Sequence, residues 1–237
     1  MALEKVRKSQ LLETLQNIKT LDSKPTDVCK CCGRTGSILD ELGLCSAEIG
    51  NCSIRFNYKK LLPRAYVDKK SHSFTINTKN RLAFDKTMAF ANLDRSLYIW
   101  GPTGHGKTHL LSMGFIEAMN KYIPSKYLNV PKLLLIDRFE YETREESELR
   151  TVQELMRYKL LFLDDMGAET VTGRTRELLY LILNNAIENG SQRLFITSNK
   201  PLSYFVEHVD DRIASRIAGL CGKDNVLKLV DQDRRLA

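Results

Sequence analysis

Leu97-Tyr-Ile-Trp100, Gly101-Pro-Thr-Gly-His-Gly-Lys-Thr108 and His109-Leu-Leu-Ser-Met-Gly-Phe-Ile-Glu-Ala118 follow one another without interruption. The apolar run of four reads as a buried strand, and the last stretch reads as a helix. Between them lies G-x-x-x-x-G-K-[ST] without departure. Phosphate groups need close approach by backbone N–H groups, and Gly101, Gly104 and Gly106 leave no Cβ in the way. The start of the following helix adds donors and a favourable dipole. Lys107 is expected on the β- and γ-phosphates of ATP, and the Thr108 hydroxyl on Mg²⁺. The stretch expected to hold the nucleotide is Gly101, Pro102, Thr103, Gly104, His105, Gly106, Lys107, Thr108 and His109. A glycine-rich turn without a ligand is the competing reading, and the strand before and helix after weigh against it.

Two further apolar runs end in polar residues. Lys159-Leu-Leu-Phe-Leu-Asp164-Asp165 places two carboxylates at the end of a buried strand, where open parallel sheets bind ligands. Asp164 is expected to hold Mg²⁺ through water, and Asp165 to orient or deprotonate an attacking water. Leu194-Phe-Ile-Thr-Ser198-Asn199 ends in an amide suited to the γ-phosphate or that water. Adding Tyr127-Leu-Asn-Val130 and Val226-Leu-Lys-Leu-Val230 gives five short apolar runs. They alternate with helix-length segments at 107–121, 131–158, 174–189 and 201–218. The expected fold is α/β, a parallel sheet flanked by helices on both faces.

These motifs, followed by Asp211-Arg-Ile-Ala-Ser-Arg-Ile217, resemble the AAA+ ATPases of the DnaC/DnaI helicase-loader and IstB group. The similarity covers about 61–237 and includes Leu62-Pro-Arg-Ala-Tyr66 and the tail Asp231-Gln-Asp-Arg-Arg235. The resemblance implies an AAA+ P-loop domain without a C-terminal helical lid. It also implies ATP-dependent loading of a DnaB-like replicative helicase onto single-stranded DNA, in a self-associated ring or spiral. Arg212 and Arg216 lie four apart and share a helix face. In similar AAA+ rings an arginine here reaches the γ-phosphate of the neighbouring subunit, which implies that role for Arg216, with Arg212 in support. Asp210 and Asp211 suit the start of that helix and Gly219 its end, with no acidic partner for the arginines expected within the helix turn.

The N-terminal part is built differently. Residues 1–90 hold 16 Lys+Arg against 9 Asp+Glu, while 91–237 hold 20 of each, so the whole excess of +7 lies in the first part. Leu11, Leu15 and Ile18 form an apolar stripe on a helix expected at 2–20, followed by a polar linker around Pro25. Then Cys29-Lys-Cys-Cys32-Gly33, Cys45 and Cys52 supply C-x₂-C, a gap of twelve and C-x₆-C. Four thiolates around a d¹⁰ ion fit Zn²⁺, with Cys29, Cys32, Cys45 and Cys52 as ligands. Cys31 could replace Cys29 or Cys32, and His72 could replace Cys52. DnaI-type loaders resemble this arrangement in carrying an N-terminal zinc module. The expected organisation is a helix and zinc-binding, partner-docking module over 1–60 and the ATPase domain over 61–237.

The first residues lack the apolar core of a secretory signal, and no apolar run approaches membrane-spanning length. A reducing, cytoplasmic setting is expected, with no membrane partner. Lys132, Arg138, Phe139, Tyr141 and Arg144 offer charge and stacking faces for DNA, although a mixed helix is more often simply amphipathic. Cys221, remote from the other cysteines, reads as packing. Two other functions compete: an IstB-like, transposition-regulating ATPase acting with a transposase, and a small-molecule P-loop kinase. Asn199 and the paired arginines weigh against the kinase.

Overall fold

The computed structural model describes residues 62–66, 74–121, 123–139, 151–167 and 173–231, without the side chains of 135–139 and 174. All of them lie within the compact unit Tyr58–Ala237. The helix expected at 2–20 and the cysteines from Cys29 to Cys52 lie outside the described residues, as do Tyr141 and Arg144.

Five strands form one sheet: β1 (Leu97–Trp100), β2 (Ser125–Asn129), β3 (Leu160–Met166), β4 (Arg193–Ser198) and β5 (Val226–Lys228). Their order is β2-β3-β4-β1-β5, and every pairing is parallel. The three inner strands, β3, β4 and β1, are the ones with unbroken apolar runs, because helices cover both faces of the sheet. The edge strands β2 and β5 are only partly buried.

The helices are α1 (Arg81–Ala89), α2 (Lys107–Asn120), α3 (Val130–Phe139), α4 (Gly173–Asn189), α5 (Leu202–His208) and α6 (Asp211–Cys221). Residues 151–155 are also helical. Val130, expected at the end of a strand, instead opens α3. The segment expected as one helix over 201–218 is two, broken at Val209 and Asp210, where Asp210 turns extended and caps α6 by accepting from the Arg212 N–H. That helix also passes through Gly219 and stops at Gly222, whose φ of 66° ends it. Among the described residues no helix is long and apolar enough to cross a membrane.

An aromatic cluster joins the helices to the sheet. Phe162 of β3 lies 5.4 Å from Phe90, 5.4 Å from Phe115 and 5.8 Å from Phe195, ring centre to ring centre. All four rings are fully buried. Phe162→Ala is expected to destabilise the domain by about 3–5 kcal/mol, the cost of a large core cavity. Urea unfolding of the full chain measures it, and a loss below about 1 kcal/mol would show that the cluster repacks.

Candidate functional site

The loop between β1 and α2 is held from two sides. The Gly101 N–H donates to the Ser198 carbonyl of β4 at 3.2 Å. A Cβ on Gly101 would strike the Leu229 carbonyl oxygen, so this crossing admits only glycine. Gly104 and Gly106 are left-handed, with φ of 85° and 90°. Lys107, the first residue of α2, is buried, and its Nζ donates to the carbonyls of Gly101 at 2.8 Å and Pro102 at 2.7 Å. Pro102 and Thr103 are exposed at the tip of the loop.

Asp164 is the electrostatic centre. The residue is 3% exposed, and its carboxylate accepts three hydroxyls, each from a different element. Thr108 of α2 donates to Oδ1 at 3.0 Å, Thr197 of β4 to Oδ1 at 2.7 Å, and Tyr127 of β2 to Oδ2 at 2.7 Å. Burial, and then the negative charge of Asp164, push the Tyr127 phenol far above its ordinary range, so it stays a neutral donor. The Thr108 hydroxyl and the Asp164 carboxylate are the hard oxygen donors that Mg²⁺ takes, and they meet at the edge of the glycine loop.

Asp165 reaches the same region by a distortion. In a regular strand, adjacent side chains point to opposite faces. Here Leu163 faces Ile196 and Met166 faces Ser198, so β3 carries one residue more than β4 over this stretch. Asp165 absorbs the extra residue with φ of 62°, the one non-glycine with positive φ among the described residues. Such a conformation costs about 1–2 kcal/mol, less for aspartate than for most residues. Its N–H donates to Thr197 Oγ1 at 3.1 Å, and its Oδ1 accepts from the Asn199 amide at 2.8 Å. β3 therefore does not end in two carboxylates, as its sequence suggested, but bulges at them and continues to Met166.

His105 Nδ1 accepts from the Asp231 backbone N–H at 2.8 Å. The His109 ring is buried, 5.3 Å from Phe74 and 5.6 Å from Tyr66. Arg212 does have an acidic partner: its guanidinium grips the Asp210 carboxylate, with NH2 to Oδ2 at 2.8 Å, and holds that carboxyl below the usual range. The Arg216 guanidinium lies over the Tyr180 ring of α4, 4.0 Å from the ring centre. It donates to the Tyr180 hydroxyl at 2.6 Å and to Asn184 Oδ1 at 3.1 Å. Lys132 is exposed on α3. Cys221 is fully buried, and burial pushes its thiol up to about 12.

Sequence reasoning missed Tyr127 and Thr197. Thr197 interrupts an otherwise apolar strand and was the one available signal. Tyr127 gave none, because only the β2–β3 register, with Asn129 beside Asp164, brings it near.

Comparison with known proteins fits this geometry. A family model described as IstB-like ATP binding protein matches residues 37–218. Among curated proteins, the chromosomal replication initiator protein DnaA of Bartonella quintana is 25% identical over 170 residues, covering 69% of this chain but only 33% of that protein. The chain thus spans about a third of that relative's length, and 40% of the DnaA of Mycoplasma capricolum. Among solved structures, a crystal structure of DnaI superposes with a TM-score of 0.61 at 22% identity, covering 76% of this chain and 100% of that one. A crystal structure of the DnaC helicase loader gives 0.58 at 18% identity, covering 72% and 100%. These likenesses carry the fold, and the family model covers most of the chain. The chain shares the fold of the DnaI and DnaC structures, and it belongs to the IstB-like ATP-binding protein family.

Proposed function

We propose that this protein uses ATP to load a DnaB-like replicative helicase onto single-stranded DNA at the start of replication. The observation that carries the reading is coverage. The chain spans the whole of the DnaI and DnaC helicase-loader structures it resembles, but a third of the Bartonella DnaA. The likeness to initiator proteins is thus to one part of them, whereas the DnaI and DnaC structures are matched over their whole length by 76% and 72% of this chain.

In this reading Gly101 to His109 cradle the triphosphate, with Lys107 supplying positive charge. Thr108 and Asp164 hold Mg²⁺, which neutralises the developing charge on the phosphates. Asp165, fixed by the Asn199 amide and by its own strained backbone, takes the proton of the attacking water. Arg216 and Arg212 serve the site of a neighbouring subunit in a ring or spiral. Residues 1–60 dock the helicase, and 61–237 hold the ATPase, in the cytoplasm.

Two measurements test the partner-binding part. Immobilised full-length protein with ATP is expected to retain a purified replicative helicase and to leave a transposase unbound. Retention of the transposase alone would replace the loader reading with the IstB-like one. Elemental analysis is expected to find one zinc per chain, lost in Cys32→Ser, because a segment so poor in large apolar residues needs a metal to fold. Zinc absent from the purified protein, or unchanged in the variant, would remove the Cys29, Cys32, Cys45, Cys52 site.

A further inference from the structure

Three segments far apart in sequence meet at the phosphate loop through polar bonds that nucleotide chemistry does not require. The first is a turn at 77–80. The Asn77 side-chain oxygen accepts the N–H groups of Lys79 and Asn80, and Asn80 Oδ1 accepts the Asn77 N–H in return. Asn80 is fully buried. The second is the chain after β5, where the Leu229 N–H donates to the Trp100 carbonyl at 2.7 Å, directly before the loop. Its Asp231 carboxylate is shared between the two amides of the turn: Asn77 Nδ2 to Oδ1 at 2.8 Å and Asn80 Nδ2 to Oδ2 at 2.7 Å. The third is the loop itself, whose His105, between left-handed Gly104 and Gly106, accepts the Asp231 N–H.

We infer that His105, Asp231 and Asn80 are positioning residues for ATP binding, a clamp that holds the loop in its cradle shape before nucleotide arrives. Glycines give the loop its reach and also its freedom, since each left-handed glycine has many other conformations open to it. A loop that must be ordered on binding loses affinity by the free energy of ordering, and one already ordered does not. Lys107 braces the loop from inside, through the carbonyls of Gly101 and Pro102. Among the described residues no other side chain of the glycine motif braces its Gly104–Gly106 half, and the His105 ring does so from outside. The bond also fixes the tautomer, because Nδ1 must be unprotonated to accept. The Asp231 carboxylate, gripped by two amides, keeps its own N–H aimed at the ring, so the members act as one network.

The inference rests on the loop being the nucleotide site and is independent of which partner the protein loads. It is tested on the full chain by equilibrium binding of a fluorescent ATP analogue and by ATP turnover, with Lys107→Ala as reference. His105→Leu, which removes the acceptor, is expected to weaken analogue binding about tenfold, the scale of one lost hydrogen bond. His105→Gln, whose amide oxygen can accept the same N–H, is expected to recover most of that loss. Asp231→Ala keeps the backbone N–H but loses the carboxylate that aims it, so it should show part of the same loss, and the double variant should be no worse than His105→Leu alone, since both act through that one bond. The loss should fall on affinity and KM more than on turnover at saturation. If Lys107→Ala loses binding while His105→Leu binds as wild type, the clamp is wrong and the site stands. Equal losses in His105→Leu and His105→Gln, or additive losses in the double variant, also overturn it. Normal binding by Lys107→Ala would remove the site and the clamp together.

Discussion

Lys107→Ala is expected to abolish productive ATP binding, with affinity falling by at least 10²-fold. Two effects combine. In the structure the ammonium is buried and bridges the carbonyls of Gly101 and Pro102 at 2.8 and 2.7 Å, so its loss leaves two loop acceptors without their partner. In the proposed nucleotide site the same charge faces the β- and γ-phosphates of ATP, where each charge-assisted bond contributes about 1.5–3 kcal/mol. Two such bonds correspond to about 10²–10⁴ in affinity. Asp165→Asn should separate binding from chemistry, keeping affinity and losing hydrolysis, because its amide can still meet Asn199 but takes no proton from water. Calorimetric titration and phosphate release on the same samples distinguish the two variants. Unaltered affinity in Lys107→Ala would refute the nucleotide site.

Arg216→Ala is expected to bind ATP almost normally and to lose hydrolysis in the assembly. Charge delivered from a second subunit to a spread-out phosphoryl transition state is worth roughly 10³–10⁵ in rate in GTPases. Tyr180 and Asn184 hold the guanidinium over the Tyr180 ring, with hydrogen bonds at 2.6 and 3.1 Å, so little rotamer freedom remains to be lost on delivery. Lysine should not replace it, since a point charge neither stacks on Tyr180 nor makes the fork. Mixing Arg216→Ala with Lys107→Ala subunits should restore part of the activity, because a site with an intact loop then gains an intact arginine from its neighbour. Wild-type turnover by Arg216→Ala alone would end the shared-site mechanism.

The local parts of this architecture were readable from sequence. Leu97–Trp100 and Leu160–Leu163 announce themselves because a strand buried on both faces must be apolar throughout, and the glycine motif is a contiguous string. What could not be read depends on register between distant segments. The hydroxyls of Tyr127 and Thr197 reach Asp164 only because β2, β3 and β4 align as they do. The bulge that turns Asp165 is a mismatch between two strands and has no signature in either alone. Arg212 was read without a partner because its carboxylate, Asp210, precedes the helix and serves as its cap as well. The passage of α6 through Gly219 has a similar cause. Glycine costs roughly 1 kcal/mol in a helix, and the full burial of Cys221 two residues later offsets it.

The strand order has a consequence for how the chain is made. β1 pairs with β4 and β5 and with neither β2 nor β3. Leu97 must wait for Phe195, roughly a hundred residues later, so at 5–20 residues per second the strand before the phosphate loop stays unpaired for about 5–20 s of synthesis. β2 and β3 can join first, but the sheet cannot close around β1 until Arg193–Ser198 and Val226–Lys228 have been made. During that interval Leu97, Tyr98 and Ile99, fully buried in the finished domain, have no native partner strand. Newly made protein is therefore exposed to aggregation at this strand, and chaperones that hold apolar segments should raise its soluble yield more than that of proteins whose neighbouring strands are consecutive in sequence.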